Sequence, residues 1–474
     1  MGILLREKVE LNRYEKAILN SRSGTREFRA LVSGVSRAVR LAGVQDNEHL
    51  QTVWDTAANV TGPVFFFFIW WVLEEAKKKD VKRLYFVARD GQILLKIAEI
   101  MRRHWDYDVE CRYLYGSRQA WSVPAIEDLG EFEIDWLLKR DLDGFLSINM
   151  ILDRVNIRPE EVKDSLNLHG FPEDSWNKSL PRRGMNRIID FLNEDSVKNR
   201  IKSRADLCFI NTSGYLKQEK FFENVSYGLV DTGWTARSQF ALSKILDKLN
   251  KRPKDGVKGF YLGLKDHKKV YKTDKLVSFL FDLSSSVRNY YLRQDVIYEM
   301  FAAADHGKTI EYSQKNEVFY PVFDNLINKE AIEWGVKTQQ ESIIKFADEF
   351  TKHCKKDLVE DKAAREILRT ILTKFIFTPS LAEATAYGKY LHSFQFKKND
   401  LIEVAPVVNI ADVLLYSSKI RPFRGFWPPG SLARSNRACL HVLWRLLLIM
   451  RKFFYTIHLL IEKTSYKLNS WRTE

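Results

Sequence analysis

Residues 83–105 read RLYFVARDGQILLKIAEIMRRHW, and no other stretch limits the possible folds as tightly. RLYFVA is rich in β-forming residues and apolar on both faces, so both faces must be covered, as in a parallel sheet. RDG breaks the strand, and QILLKIAEIMRR then carries apolar residues at helical spacing. VECRYLYGSRQAW (109–121) reads as a second strand ending in polar residues. Residues 81–121 thus form a strand–loop–helix–strand unit, which implies an α/β fold with a parallel sheet. SYGLVDTGWTARSQFALSKIL (226–246) repeats the pattern, with Asp231 at a strand tip, and GVKGFYLGL (256–264) supplies the following strand.

Around this core the chain divides as follows. Residues 1–54 form a basic helical segment. Residues 55–290 hold the α/β core, with a helical insertion over about 130–205. Residues 291–436 are read as helical, with RPFRGFWPPGSLARSN (421–436) as a loop. Residues 437–474 form a basic amphipathic helix, and 439–463 is its continuous part. TGPVFFFFIWWVLEEAKKKD (61–80) contains an apolar run over 63–73, well short of the roughly 20 residues of a membrane span. It reads as a buried helix that opens near Pro63.

Composition narrows the function classes. Of 474 residues, 45% are hydrophobic, which suits a globular protein with a large core. The four cysteines (111, 208, 354 and 439) lie far apart and form no CxxC pair. They imply neither a zinc site nor a disulfide framework. The N-terminus becomes charged too early for a secretory signal. Arg6 stands where a myristoylation motif needs Ser or Thr. The expected location is therefore the cytoplasm. The formal charge of +14 favours polyanionic partners such as nucleic acid, anionic lipid or phosphorylated substrates. Residues 415–474 carry eleven Lys/Arg against Glu462 and Glu474. The final helix therefore reads either as a packed terminal helix or as one lying on an anionic membrane surface.

In an open α/β sheet, ligands bind beyond the carboxyl ends of the strands. Three such ends combine charge with small residues: Arg89-Asp90-Gly91, Ser117-Arg118 and Asp231-Thr232-Gly233-Trp234-Thr235. Arg89 is placed to grip a diphosphate, with Arg118 as a second grip. Asp90 is the candidate Mg²⁺ ligand. The loop after Asp231 offers backbone N–H groups, the hydroxyls of Thr232, Thr235 and Ser238, and Arg237 at a helix start. Gly233 permits an unusual backbone angle or a close ligand approach. Asp231 repels a phosphate at short range, so it holds ribose hydroxyls or a metal; the plainer alternative is a helix cap. In YEMFAAADHGKTIEY (298–312), Glu299 or His306 is placed to deprotonate an acceptor hydroxyl, as is Asp90. Two further stretches imitate motifs. Asp141-Leu142-Asp143-Gly144 has the form of a phosphatase or glycosyltransferase DxD but follows a helical stretch, and HCKK (353–356) lies in a charged helical one.

LYFVARDGQILLKIA, YLYGSRQAW, GLVDTGWTARSQ, EMFAAADHGKT and FWPPGSLA occur in this order. Together they resemble the glycan phosphoribosyltransferase domain of bacterial dual-domain ribofuranosyltransferases, over about residues 55–435. The resemblance implies a phosphoribosyltransferase-like parallel-sheet core with large helical insertions and a helical C-terminal region. It implies a glycosyltransferase that moves 5-phosphoribosyl from phosphoribosyl diphosphate, with Mg²⁺, to a sugar hydroxyl of a lipid-linked surface glycan such as O-antigen or capsule. VDTGWT looks like a degenerate 5-phosphate loop with Asp231 as its only acid, and ARDG sits where a diphosphate loop belongs. The family's second domain, a haloacid-dehalogenase-type phosphatase, has no counterpart in the chain, so a separate phosphatase is an expected partner. Such an enzyme would work at the inner face of the plasma membrane. The competing readings are a nucleotide-sugar glycosyltransferase, a phosphatase using Asp141 or Asp143, and a basic scaffold. A nucleic-acid partner is not expected.

Overall fold

The computed structural model describes residues 10–140, 144–181, 183, 185–265, 270–282, 292, 294–393, 401–417, 425–437, 439–440, 442–444 and 446. Its centre is a five-stranded sheet of β1 (Arg83–Val87), β2 (Glu110–Leu114), β3 (Tyr227–Trp234), β4 (Lys258–Leu264) and β5 (Lys275–Phe281). All neighbours are parallel, in the order β2-β1-β3-β4-β5. The chain steps outward from β1 to β2 and then returns to the opposite side of β1 with β3. The carboxyl ends of β1 and β3 therefore flank the crevice where the winding reverses.

Both faces of the sheet are covered, as the apolar pattern of RLYFVA requires. Leu84, Phe86, Val230 and Phe260 join one core with α1 (Gly62–Lys78) and α2 (Gly91–Trp105). Tyr85, Val87 and Leu229 join another with α3 (Arg118–Ser122) and α5 (Arg237–Lys248). The side chains alternate because successive residues of a strand point to opposite faces. A third cluster runs from Val123 to Cys208, so the helical insertion has a hydrophobic core of its own. It includes α4 (Glu131–Leu137).

The run containing the four phenylalanines is longer than its sequence suggests. Helical structure starts at Glu48, passes through a π-turn at Ala57–Thr61 and continues into α1. In the π-turn the Gly62 N–H donates to the Ala57 carbonyl, five residues back. The wider turn accommodates Pro63, which has no N–H and whose ring crowds the preceding turn. The 31-residue helical run from Glu48 to Lys78 is long and apolar enough to cross a membrane, yet its most apolar window is wholly buried within the protein.

The segment after residue 290 departs from its helical reading in two places. β6 (Thr309–Lys315) and β7 (Val318–Phe323) form an antiparallel hairpin, as do β8 (Leu391–Ser393) and β9 (Leu401–Glu403). Between the two hairpins the chain is helical, notably at Val336–His353 and Asp361–Phe377. Within 421–436, residues Pro428–Ser435 form a helix instead of a loop, because two prolines at the first turn lack only N–H groups that a helix start leaves unpaired. The proposed terminal helix falls largely outside the described residues, since 447–474 are not among them.

Candidate active site

The end of β1 turns sharply into α2. The Ala88–Arg89 peptide bond is cis, and Gln92 N–H donates to the Arg89 carbonyl at 3.0 Å. A Cβ on Gly91 would lie 2.5 Å from the Phe86 carbonyl carbon, so only glycine lets α2 start this close to β1. Asp90 occupies the N-cap position of α2 but makes no capping bond. Its carboxylate instead accepts a hydrogen bond from the Thr232 hydroxyl on β3. Burial raises the Asp90 pKa well above the usual carboxylate range, and Asp231 and Glu299 add to the shift.

β3 carries Asp231 inside the strand, not at its tip, because pairing with β4 continues through Gly233 and Trp234. Gly233 has φ +127°, and a Cβ there would sit 1.9 Å from the Gly263 carbonyl oxygen. The facing glycines let the strands stay paired past the point where the sequence suggests a loop. This corrects the expected phosphate cradle. The Gly233 N–H donates to the Asp231 carboxylate at 3.3 Å, the Thr232 hydroxyl serves Asp90, and the Trp234 ring is buried and stacked on Phe281. Asp231 caps no helix; α5 begins after Ala236, whose φ is +52°. Of the expected loop, Thr235, Arg237 and Ser238 stay partly exposed at the crevice. Burial pushes the Asp231 pKa up to about 6, with a further push from Glu299.

Glu299 reaches the same place from helix α6 (Asp295–Phe301). Its Oε1 accepts from Trp234 Nε1 at 3.1 Å, and its Oε2 lies 3.7 Å from Nε2 of His392 on β8. Three carboxylates from three elements thus converge at the crevice. Among the described residues, no three His, Cys, Asp or Glu side chains group as a complete metal cage.

Cations flank the carboxylates. Arg89 is exposed beside Asp90. On the Asp231 side stands Arg118, the first residue of α3, which Ser117 caps by accepting from Ala120 N–H at 3.0 Å. The Arg118 Nε is buried without a hydrogen-bond partner. Burial lowers the Arg118 pKa and the nearby Arg237 lowers it further, against Glu299 and Asp231. Lys139 joins them from the insertion, its pKa lowered by burial, Arg118 and Arg237. Sequence reading missed Lys139. Its place depends on Arg154, which is wholly buried and donates to the carbonyls of Trp136, Leu137 and Lys139 at 3.2, 2.5 and 2.7 Å.

A shallow, open depression lies here, lined by Arg118, Arg237, Ser122, Trp136, Glu133 and Lys244. Glu133 neutralises Lys244 at 2.9 Å. Among the described residues, no carboxylate lies within ion-pair distance of Arg118, Arg237 or Lys139. Arg118 and Arg237 are half-buried and Lys139 is exposed beside them, so positive charge is in excess at this end of the crevice.

His306 is held away from this centre. Its Nδ1 is 2.8 Å from the Gly307 carbonyl and its Nε2 2.7 Å from the Tyr113 hydroxyl. The carbonyl only accepts, so Nδ1 carries the proton and Nε2 accepts from Tyr113. Tyr115 and Phe323 pack on the ring, and burial lowers its pKa. Of the DxD imitation, Asp141 and Asp143 lie outside the described residues. His353 is an exposed neighbour of Glu349 on a helix surface.

No protein-family model matches the chain, and no curated protein matches it.

Proposed function

We propose that the protein is a glycosyltransferase that moves a 5-phosphoribosyl group from phosphoribosyl diphosphate to a sugar hydroxyl of a bacterial surface glycan, diphosphate leaving. The supporting observation is the order of charges across the crevice. Asp90 has Arg89, Asp231 and Glu299 as charged neighbours, whereas Arg118 has Arg237, Glu299 and Asp231, and Lys139 has Arg118 and Arg237. Cations thus stand at both ends of a carboxylate group. The donor has the complementary order, with anions at both ends of a ribose diol.

On this reading Arg118, Arg237 and Lys139 hold the 5-phosphate, with Thr235 and Ser238 at its rim. This moves Arg118 from the diphosphate, where the sequence put it, to the opposite end. Asp231 accepts hydrogen bonds from the ribose hydroxyls, and its neighbour Thr232 fixes the Asp90 carboxylate. Arg89 binds the diphosphate. Mg²⁺ fits this donor set, because it usually takes one or two carboxylates and completes its shell with phosphate oxygens and water. The surplus negative charge around Asp90 suits a divalent cation, and Asp90 is the residue that would hold it. A Mg²⁺ held there by Asp90 would supply positive charge against the leaving diphosphate. Catalysis then rests on positioning and on fixed charges around an anomeric carbon that becomes positive.

The acceptor is proposed to be a lipid-linked glycan, met at the inner face of the plasma membrane through the basic C-terminal segment. A separate phosphatase would remove the 5-phosphate. The test uses membranes from polysaccharide-producing bacteria and donor labelled in its 5-phosphate. Label passing into the lipid-linked fraction with the wild-type protein, and not with Asp231→Asn, supports the proposal. Label that stays with the water-soluble donor for both proteins contradicts it.

A further inference from the structure

We infer that Glu299 is the base that takes the acceptor's proton, and that His392 and Trp234 are its positioning residues. This rests on the phosphoribosyl-transfer reading and goes beyond it by choosing one proton acceptor among Asp90, Glu299 and His306, with Asp231 compared beside them.

The geometry separates them. Asp90 accepts from the Thr232 hydroxyl, and the Asp231 carboxylate accepts the Gly233 N–H. Both nitrogens of His306 are engaged, one by Gly307 and one by Tyr113. Glu299 differs. Trp234 Nε1 fixes its Oε1 at 3.1 Å, while Oε2 accepts no hydrogen bond among the described residues. The side chain is 36% exposed, so an incoming hydroxyl reaches it. Facing Oε2 at 3.7 Å is His392 Nε2, beyond hydrogen-bond reach and near enough to limit where that oxygen can turn.

His392 is held by the aromatic C-terminal motif. Phe426 meets its ring edge-on at 4.9 Å, and Trp427 is anchored by its Nε1 donating to the Ile376 carbonyl at 2.7 Å. The sequence motif FWPPG thereby acquires a role: it fixes the histidine that faces the base. The acceptor then enters from the side of β8 and β9.

The step balances as follows. The acceptor oxygen forms a bond to the anomeric carbon as the carbon–oxygen bond to diphosphate breaks. The bonding pair leaves with diphosphate, and the acceptor proton passes to Glu299 Oε2.

The test uses the full chain with phosphoribosyl diphosphate and Mg²⁺, with water as the acceptor. It reads diphosphate release and, separately, donor Kd. Glu299→Gln keeps an oxygen for Trp234 but takes no proton. It is expected to slow release about 100-fold with donor Kd unchanged, which also shows that the variant is folded. Formate is expected to restore release to Glu299→Ala. His392→Ala is expected to lower the rate without changing Kd, and His392→Gln to recover part of the loss. Wild-type release by Glu299→Gln, or no rescue by formate, overturns the inference and leaves the donor reading standing. A wild-type protein that neither binds nor splits the donor overturns both.

Discussion

Asp231 has its pKa near 6 because burial and Glu299 oppose its charge more than the Gly233 and Thr232 N–H groups and Arg118 support it. The native pKa lies above the unfolded value of about 3.9. Its stabilising contribution is therefore full below that lower value and lost as pH rises through the native one. Asp231→Asn is expected to stabilise the protein at pH 8 by on the order of 1–3 kcal/mol and to lose that advantage at pH 4, read by chemical denaturation at both values. Equal effects at the two pH values would show that the carboxylate is not penalised in the native state. A side chain kept at a cost to stability points to function. The sequence made Arg89, Asp90, Arg118 and Asp231 legible, because charge at the end of an apolar strand is visible locally. Lys139 and His392 were not legible. Each reaches the crevice from a distant element, and nothing in its own neighbourhood distinguishes it from a surface cation or a strand histidine.

Single elements carry the site through close backbone approaches. Gly233→Ala would place a methyl group on the Gly263 carbonyl at a positive φ, and is expected to cost about 2–4 kcal/mol. A change within a few tenths of a kcal/mol, measured by urea unfolding, would mean that the β3–β4 pairing yields there. Arg154→Leu removes the donor to three carbonyls around the end of α4. It is expected to destabilise the insertion by about 2–4 kcal/mol and to weaken donor binding through Lys139. Unchanged binding would remove the insertion from the donor site. The β1–α2–β2 unit and the strand carrying Asp231 were legible because residues apolar on both faces admit few alternatives. The β6–β7 hairpin was not. Its turn residues Asn316 and Glu317 have φ +50° and +65°, as a type I′ turn needs, but a glutamate holds the place where glycine would signal it. The end of β3 was misread for a related reason: Thr-Gly-Trp looks like a loop until a second glycine is known to face it.

At the scale of the whole molecule, a covered parallel sheet presents one crevice at its winding reversal, and the chain as a whole carries a net charge of +14. Leu440 packs with Val408, Val413 and Leu432, so a truncation that tests membrane attachment should spare it. Deleting residues 447–474 is expected to shift the protein from the membrane fraction to the soluble fraction with donor affinity intact. An unchanged distribution would count against attachment through this segment. The central claim concerns the crevice itself, and calorimetric titration with phosphoribosyl diphosphate and Mg²⁺ tests it most directly, beside a panel of nucleotide sugars. The account predicts selective binding of phosphoribosyl diphosphate, weakened at least about tenfold by Asp231→Asn. Binding of a nucleotide sugar in its place, or equal affinity in the variant, would contradict it.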